Sequence, residues 1–232
     1  MTLRADSPWL DAMHLASASL PIGGFAYSQG LEQACDAGMI TNTQQANHWI
    51  EDYLLLVLAR QELPWWRQAH HACLHADWDC LSRAVSMLTA LRETAELRLE
   101  SRQMAHALSR LYEQWLPGFH EGMLLPASLH DLVFQDYSAA HAVLCALRGL
   151  SVPVGMTAWL WGWLDNQVLA AVKLVPLGQQ DGQKLMHALK PSVTLAIEQA
   201  MQLDMDSAGS APIGLAVTSA RHETQYARLF RS

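Results

Sequence analysis

The chain has 232 residues, a formal net charge of −7, and 16% charged against 51% hydrophobic residues. That acidic balance gives no global attraction to nucleic acid or to an anionic membrane surface. A charged fraction below the roughly 25% of an ordinary soluble domain predicts a surface partly covered by protein partners.

Helix punctuation recurs along the chain. Ser7 before Pro8 reads as an N-cap and first-turn proline, followed by Leu10, Met13, Ser17 and Leu20 at three- and four-residue steps until Pro21. The stretch LPIGGFAYSQGLE (20–32) then forms a glycine-rich turn. A short helix is expected from about Ser28 to Ala37, with Leu31, Ala34 and Cys35 inward and Gly38 as its stop. Thr41 with Gln44 reads as a capping box before a stripe of Ala46, Trp49, Ile50, Tyr53, Leu54, Val57 and Leu58. Pro64 is expected to begin a new stretch, and Asp79 to cap a helix bearing Leu81, Ala84, Val85 and Leu88.

A long helix follows over RETAELRLESRQMAHALSRLYEQWL, its seam made by Leu97, Ser101, Met104, Leu108, Leu111 and Trp115. Residues 117–135 read as irregular. Helices resume from Ser138 to Leu147, across MTAWLWGWLDNQVLAAVKLV, and from Gln179 to about Asp204 with a break or kink at Pro191. Residues 204–214 form a loop. No segment alternates as a strand would, so the expectation is one all-α domain over 1–214 followed by a mobile tail over 215–232.

Four cysteines without a CxxC pair fit reduced thiols in a cytoplasmic protein. Charges spread through the N-terminus leave no apolar core for a signal peptide. The apolar run Val152 to Leu164 is too short to cross a bilayer and is closed by Asp165, Asn166 and Gln167.

Gly23 and Gly24 do not make a phosphate loop, because GxxxxGK[ST] is missing and no strand precedes them. Ala26 to Gly30 has the spacing of a degenerate nucleophile elbow around Ser28, but that device needs a strand-to-helix turn, so Ser28 reads as a helix cap and no catalytic residue is assigned. His70, His71, Cys73, His75, Asp77, Asp79 and Cys80 are the densest set of metal-ligand types, with His71 and His75 four apart. The alternative they support is a nickel- or zinc-binding protein using His71, His75, Cys73 and Cys80. The plainer reading is a helix end with exposed histidines and packed cysteines, and no metal site is assigned. Arg92, Glu93, Glu96, Arg98, Glu100 and Arg102 alternate in charge as a solvated face does. The C-terminal segment carries Arg221, His222, Glu223, Tyr226, Arg228, Leu229, Phe230 and Arg231, the aromatic and arginine anchors of a docking peptide.

Four stretches, in order, carry a resemblance: LPIGGFAYSQGLE, RETAELRLESRQM, WLWGWLDNQVLAAVKLVPLGQ and SARHETQYARLFRS. Together they resemble the UreF family of urease accessory proteins. The resemblance implies an all-α homodimer that is not itself an enzyme. It implies binding to UreD (also called UreH), recruitment with it of the GTPase UreG, and delivery of nickel to apo-urease, with nickel and GTP handled by the partners rather than bound directly. It places Arg221, His222, Glu223, Tyr226, Arg228, Leu229, Phe230 and Arg231 on the UreD/UreH-docking segment. It places Lys173 in the region facing UreG, with Glu93, Glu96 and Arg98 beside it as candidates. Gly24 stands where alanine is common in the family, and residues 117–135 match no family-wide motif.

Overall fold

A computed structural model describes residues 8–117, 119, 122, 124–210 and 212–232, with only the backbone of Glu113. Among the described residues every regular element is helical: α1 (Pro8–Leu15), α2 (Leu31–Asp36), α3 (Thr43–Asp52), a π-helical stretch Tyr53–Glu62, α4 (Leu63–Leu74), α5 (Trp78–Ala90), α6 (Ala95–Trp115), α7 (His130–Val133), α8 (Tyr137–Leu147), α9 (Val152–Leu174), α10 (Gln179–Gln202) and α11 (Ile213–His222). The all-α expectation holds.

The innermost helices are the ones whose sequences lack a polar stripe. In α8 every residue from Ser138 to Ala146 is buried, and α9 buries residues on nearly all sides, from Val152 to Ala171. A helix apolar all round satisfies itself only inside a bundle. Around this pair, α4 packs on α8 and α5, α6 packs on α8, and α10 packs on α9 and the π-helical stretch. Trp66 of α4, fully buried, fills the centre.

Local capping follows the expected chemistry with shifted positions. Asn42, not Thr41, caps α3 through the Gln45 N–H (3.0 Å), while the Gln45 side chain reaches back to accept from the Thr41 N–H (2.8 Å). The reciprocal box exists one residue later, because Asn is as good an N-cap as Thr. Asp77, not Asp79, caps α5 by accepting from Cys80 N–H (3.0 Å). The cap expected at Ser7 lies outside the described residues. The second helix starts at Leu31, three residues late, after Gly30 at φ +86°.

The two prolines do not break the helices as expected. Chain from Thr43 to Leu74 is helical throughout. Pro64 has no N–H to offer, and the Arg60 carbonyl instead accepts the Gly209 N–H (2.9 Å), so the missing ladder bond is replaced from outside. α10 runs through Pro191 to Gln202. At its C-terminus the Arg67 guanidinium donates to the carbonyls of Ala200 (2.7 Å), Met201 (2.5 Å) and Leu203 (2.9 Å), satisfying the acceptors that a helix end leaves open. The stretch 117–135 carries α7 and a 3-10 turn, Ala127–Leu129. The loop 204–214 carries another at Met205–Ser207 and gives way to α11 at Ile213, which therefore spans residues 214 and 215.

Candidate functional site

The loop that joins α1 to α2 is shaped by left-handed residues. Gly23 lies at φ +75°, Gln29 at +53° and Gly30 at +86°. Gly30 is required twice over, since a Cβ there would also lie 3.0 Å from Thr218 Oγ1 of α11. These turns gather three donors on one acceptor: the N–H groups of Ser28 (2.9 Å) and Gln29 (3.1 Å) and the Ser28 hydroxyl (2.6 Å) all donate to the Ser232 carbonyl. The Arg231 N–H returns a bond to the Ala26 carbonyl (2.9 Å). Ser28 Oγ also accepts from the Glu32 N–H (3.2 Å), but Gly30, not Ser28, is the N-cap of α2, and the buried, committed Ser28 hydroxyl is not placed as a nucleophile.

Three carboxylates complete this seat. Glu32, in the first turn of α2, accepts from the backbone N–H groups of Leu229 (2.6 Å) and Phe230 (2.9 Å) and meets His222 Nε2 at 3.1 Å. Glu96 meets the other ring nitrogen of His222 at 2.6 Å and accepts from Arg228 Nη1 at 2.5 Å. Glu100 accepts from Ser232 Oγ (2.6 Å) and Gln29 Nε2 (2.6 Å). Burial pushes the Glu100 carboxyl above its ordinary range, against the opposing pull of those two hydrogen bonds. Glu223 contributes in the reverse sense: its side chain accepts from the N–H groups of Ala95 (2.8 Å) and Glu96 (3.4 Å), placing an anion at the positive end of α6. Thr94, the N-cap of α6, shares a hydroxyl bond with Ser219 (2.9 Å).

The segment expected to be a mobile tail is therefore held at α11, at His222, Glu223 and Phe230, and at Ser232. Within the docking set the structure separates two faces. His222 and Phe230 are buried, with Phe230 under the Lys173 ammonium at 5.4 Å. Tyr226 is fully exposed and Leu229 is 65% exposed, beside the exposed Arg221, Arg228 and Arg231. The residues expected to face a different partner are not set apart from this segment: Glu96 and Lys173 touch it. Arg98 is exposed and donates to the Arg92 carbonyl (2.7 Å), and Glu93 is exposed beside it.

The alternating charge run is not uniformly solvated. Arg92 is drawn inward, where Nη1 donates to Glu62 Oε2 (2.8 Å), Nη2 to Glu62 Oε1, and Nε to Asp136 Oδ2 (3.1 Å). Burial works against the Arg92 charge, but Asp136 and Glu62 more than offset it and hold its pKa above the ordinary value. Burial raises the pKa of Glu62 in turn, with the Arg92 charge opposing it. Asp136 also caps α8 through the N–H groups of Ser138 (2.8 Å) and Ala139 (3.1 Å) and accepts from Ser101 Oγ (2.7 Å).

The histidine and cysteine residues of HHACLHADWDC are not gathered. His71 and His75 stack at 6.2 Å, Cys73 is buried with its thiol pushed up to about 11, and Cys80 Sγ receives Gln68 Nε2 at 2.8 Å. Among the described residues no group of three or more His, Cys, Asp or Glu is placed to hold a metal. Nor, among them, is any helix long and apolar enough to cross a membrane.

Sequence reasoning missed Ser28, Glu32, Glu100 and Ser232 as members of one site. The nearest signal was Glu32 beside the inward-facing Leu31, but its partners lie up to 198 residues away, and no local pattern announces them.

The family model described as UreF matches residues 40–190. The chain is similar over almost its whole length to curated relatives named urease accessory protein UreF. That of Ectopseudomonas mendocina is 42% identical over 95% of this chain and 97% of its own. That of Azotobacter vinelandii is 41% identical over 95% and 97%. That of Alcanivorax borkumensis is 36% identical over 98% and 99%. The Alcanivorax borkumensis match, at 98% of this chain, extends beyond both ends of the stretch that the family model covers.

Proposed function

The chain belongs to the UreF family of urease accessory proteins, and we propose that within urease maturation it works as a cytoplasmic, non-catalytic scaffold. In this reading a homodimer binds UreD/UreH, the two together recruit the GTPase UreG, and nucleotide hydrolysis on UreG is coupled to nickel insertion into apo-urease. Nickel and GTP are handled by those partners, and this chain contributes ordered surface.

One observation carries the reading: the docking segment is anchored from within and displayed outward. His222, Phe230 and Ser232 fix its backbone to α2, α6 and the loop at 20–32. Tyr226 and Leu229 stand free on the outside, and Ile213 and Val217, four apart on α11, are also exposed. A preorganised aromatic and aliphatic face loses less conformational entropy on docking than a free peptide does, and Tyr is among the residues that dominate interface energies.

Co-purification with UreD/UreH tests this. The double variant Tyr226→Ala, Leu229→Ala should weaken capture by at least about a hundredfold, the loss of two interface anchors, with the helical circular dichroism spectrum and melting unchanged. Undiminished capture by the folded double variant would overturn the assignment. Deleting 221–232 is a poorer test, because it also strips the seat of its donors.

A further inference from the structure

His222 is fully buried, and both of its ring nitrogens face carboxylates: Nδ1 lies 2.6 Å from Glu96 Oε2 of α6, and Nε2 lies 3.1 Å from Glu32 Oε2 of α2. An ionised carboxylate only accepts hydrogen bonds. A neutral imidazole has one N–H and one bare nitrogen, so it can satisfy either Glu96 or Glu32 but sets a lone pair against the other. The arrangement as built needs a proton on each side of the ring. An imidazole is ordinarily a stronger base than a carboxylate by about two pH units, which puts the extra proton on His222 and leaves both acids ionised.

Charge points the same way. Glu96 Oε1 also accepts from Arg228 (2.5 Å), so with an imidazolium the group holds two anions and two cations. With a neutral ring it keeps an uncompensated negative charge, and every member but Arg228 is largely withdrawn from water. The other ionisable groups close by do not supply the balance. Glu223, next along α11, is turned to the N–H groups of Ala95 and Glu96, and Arg221 is exposed. Cys35 on α2 stands beside Glu32, but burial pushes its thiol up to about 11 and keeps it neutral. Glu100 is occupied by Ser232 and Gln29, and the Lys173 ammonium of α9 lies over the Phe230 ring.

The Glu32 carboxylate that faces His222 is the same one that accepts from the N–H groups of Leu229 (2.6 Å) and Phe230 (2.9 Å). We propose that His222 is a proton-operated latch on the C-terminal segment: as an imidazolium it ties α11 to α2 and α6 and seats residues 222–232, and on losing its proton it repels one of its two acids and lets the segment, with Tyr226 and Leu229, leave the seat. One bound proton separates the seated form from the released one. Their ratio therefore falls by up to about tenfold per pH unit as pH rises through the imidazole range. The latch is a property of this chain alone and does not depend on which protein the displayed face receives.

The test follows the isotope-labelled full chain by NMR from about pH 5.5 to about 9, reading the His222 ring nitrogens and the Leu229 and Phe230 amides. At the acid end both ring nitrogens should carry protons. As the ring loses one, the two amides should leave their hydrogen-bonded positions with the same midpoint, while the amides of α8 stay in place. In Glu96→Gln the new amide can donate to Nδ1 while its oxygen still accepts from Arg228. A neutral ring then satisfies both neighbours, and Leu229 and Phe230 should stay seated to the alkaline end. Should that chain not fold, His222→Gln supplies the comparison, since it removes the titrating ring and with it the midpoint. The proposal is overturned if the ring is singly protonated at the acid end with the segment seated, if it keeps both protons to the alkaline end, or if the parent amides respond no differently from those of the variant.

Discussion

The Glu62–Arg92–Asp136 cluster and the seat made by Glu32, Glu96 and Glu100 both bring acids together inside the same bundle, yet they are neutralised in opposite ways. In the first, a guanidinium fixed between two helical elements supplies the countercharge, and every member belongs to the bundle core. In the second, the compensation is largely delivered by a segment that arrives last: two backbone N–H groups, one imidazole, one guanidinium and one hydroxyl, all from residues 222–232. The first cluster is a condition of folding. The second is a lock between the two ends of the chain, whose removal leaves acids facing empty space without dismantling the helices.

The largest expected effect comes from breaking the core cluster. Arg92→Met leaves Glu62 and Asp136 buried without their cation, a loss of about 3–5 kcal/mol, read as a lowered midpoint in denaturant unfolding. Removal of the partner charge also favours protonated Glu62, so the deficit should shrink as pH falls towards the carboxylate range. A variant as stable as the parent would mean that the cluster is not the structural element it is taken to be here.

Breaking the lock should cost less and act locally. Glu32→Ala orphans the N–H groups of Leu229 and Phe230 and one ring nitrogen of His222, for about 1–3 kcal/mol. The comparison predicts that this appears as early proteolytic cleavage after Arg228 or Arg231 with the remaining helices protected, whereas Arg92→Met loosens the whole bundle. Uniform loosening in both variants would erase the distinction between core and lock.

How much of this the sequence showed depends on how far apart the partners sit. Helices were legible wherever apolar residues recur at three- and four-residue steps, as in α3 and α6, and wherever a run was apolar throughout, as in α9. Caps fell one or two residues from expectation at Asn42 and Asp77 because neighbouring Thr and Asp residues offer the same chemistry. Pro64 misled because its consequence is repaired by Gly209, far along the chain. The aromatic and arginine content of the C-terminal segment suggests the docking role proposed above, but composition does not reveal which side of the segment faces inward. That is decided by Glu32, 197 residues from its Leu229 partner, and by Glu100, which turns inward to accept from Ser232 on a helix whose charge pattern suggested solvent.

The smallest effect sharpens the contrast within the seat itself. Glu100 is buried with its pKa raised, from 4.5, chiefly by desolvation. A carboxyl whose folded pKa lies above its unfolded value favours folding in its protonated form. Its contribution is therefore fully present below the unfolded pKa and is lost as pH rises through the folded one. Glu100→Gln keeps an acceptor for Gln29 and a group that can bond Ser232, and it carries no charge at any pH. Its stability should match the parent in acid and exceed it near neutrality, the gap opening as pH climbs above about 4.5, measured as paired melting temperatures across a pH series. A parent that instead gains on the variant with rising pH would show that the hydrogen bonds from Ser232 and Gln29, and not burial, govern Glu100. The lock would then draw its strength from the carboxylate's charge, as the core cluster does.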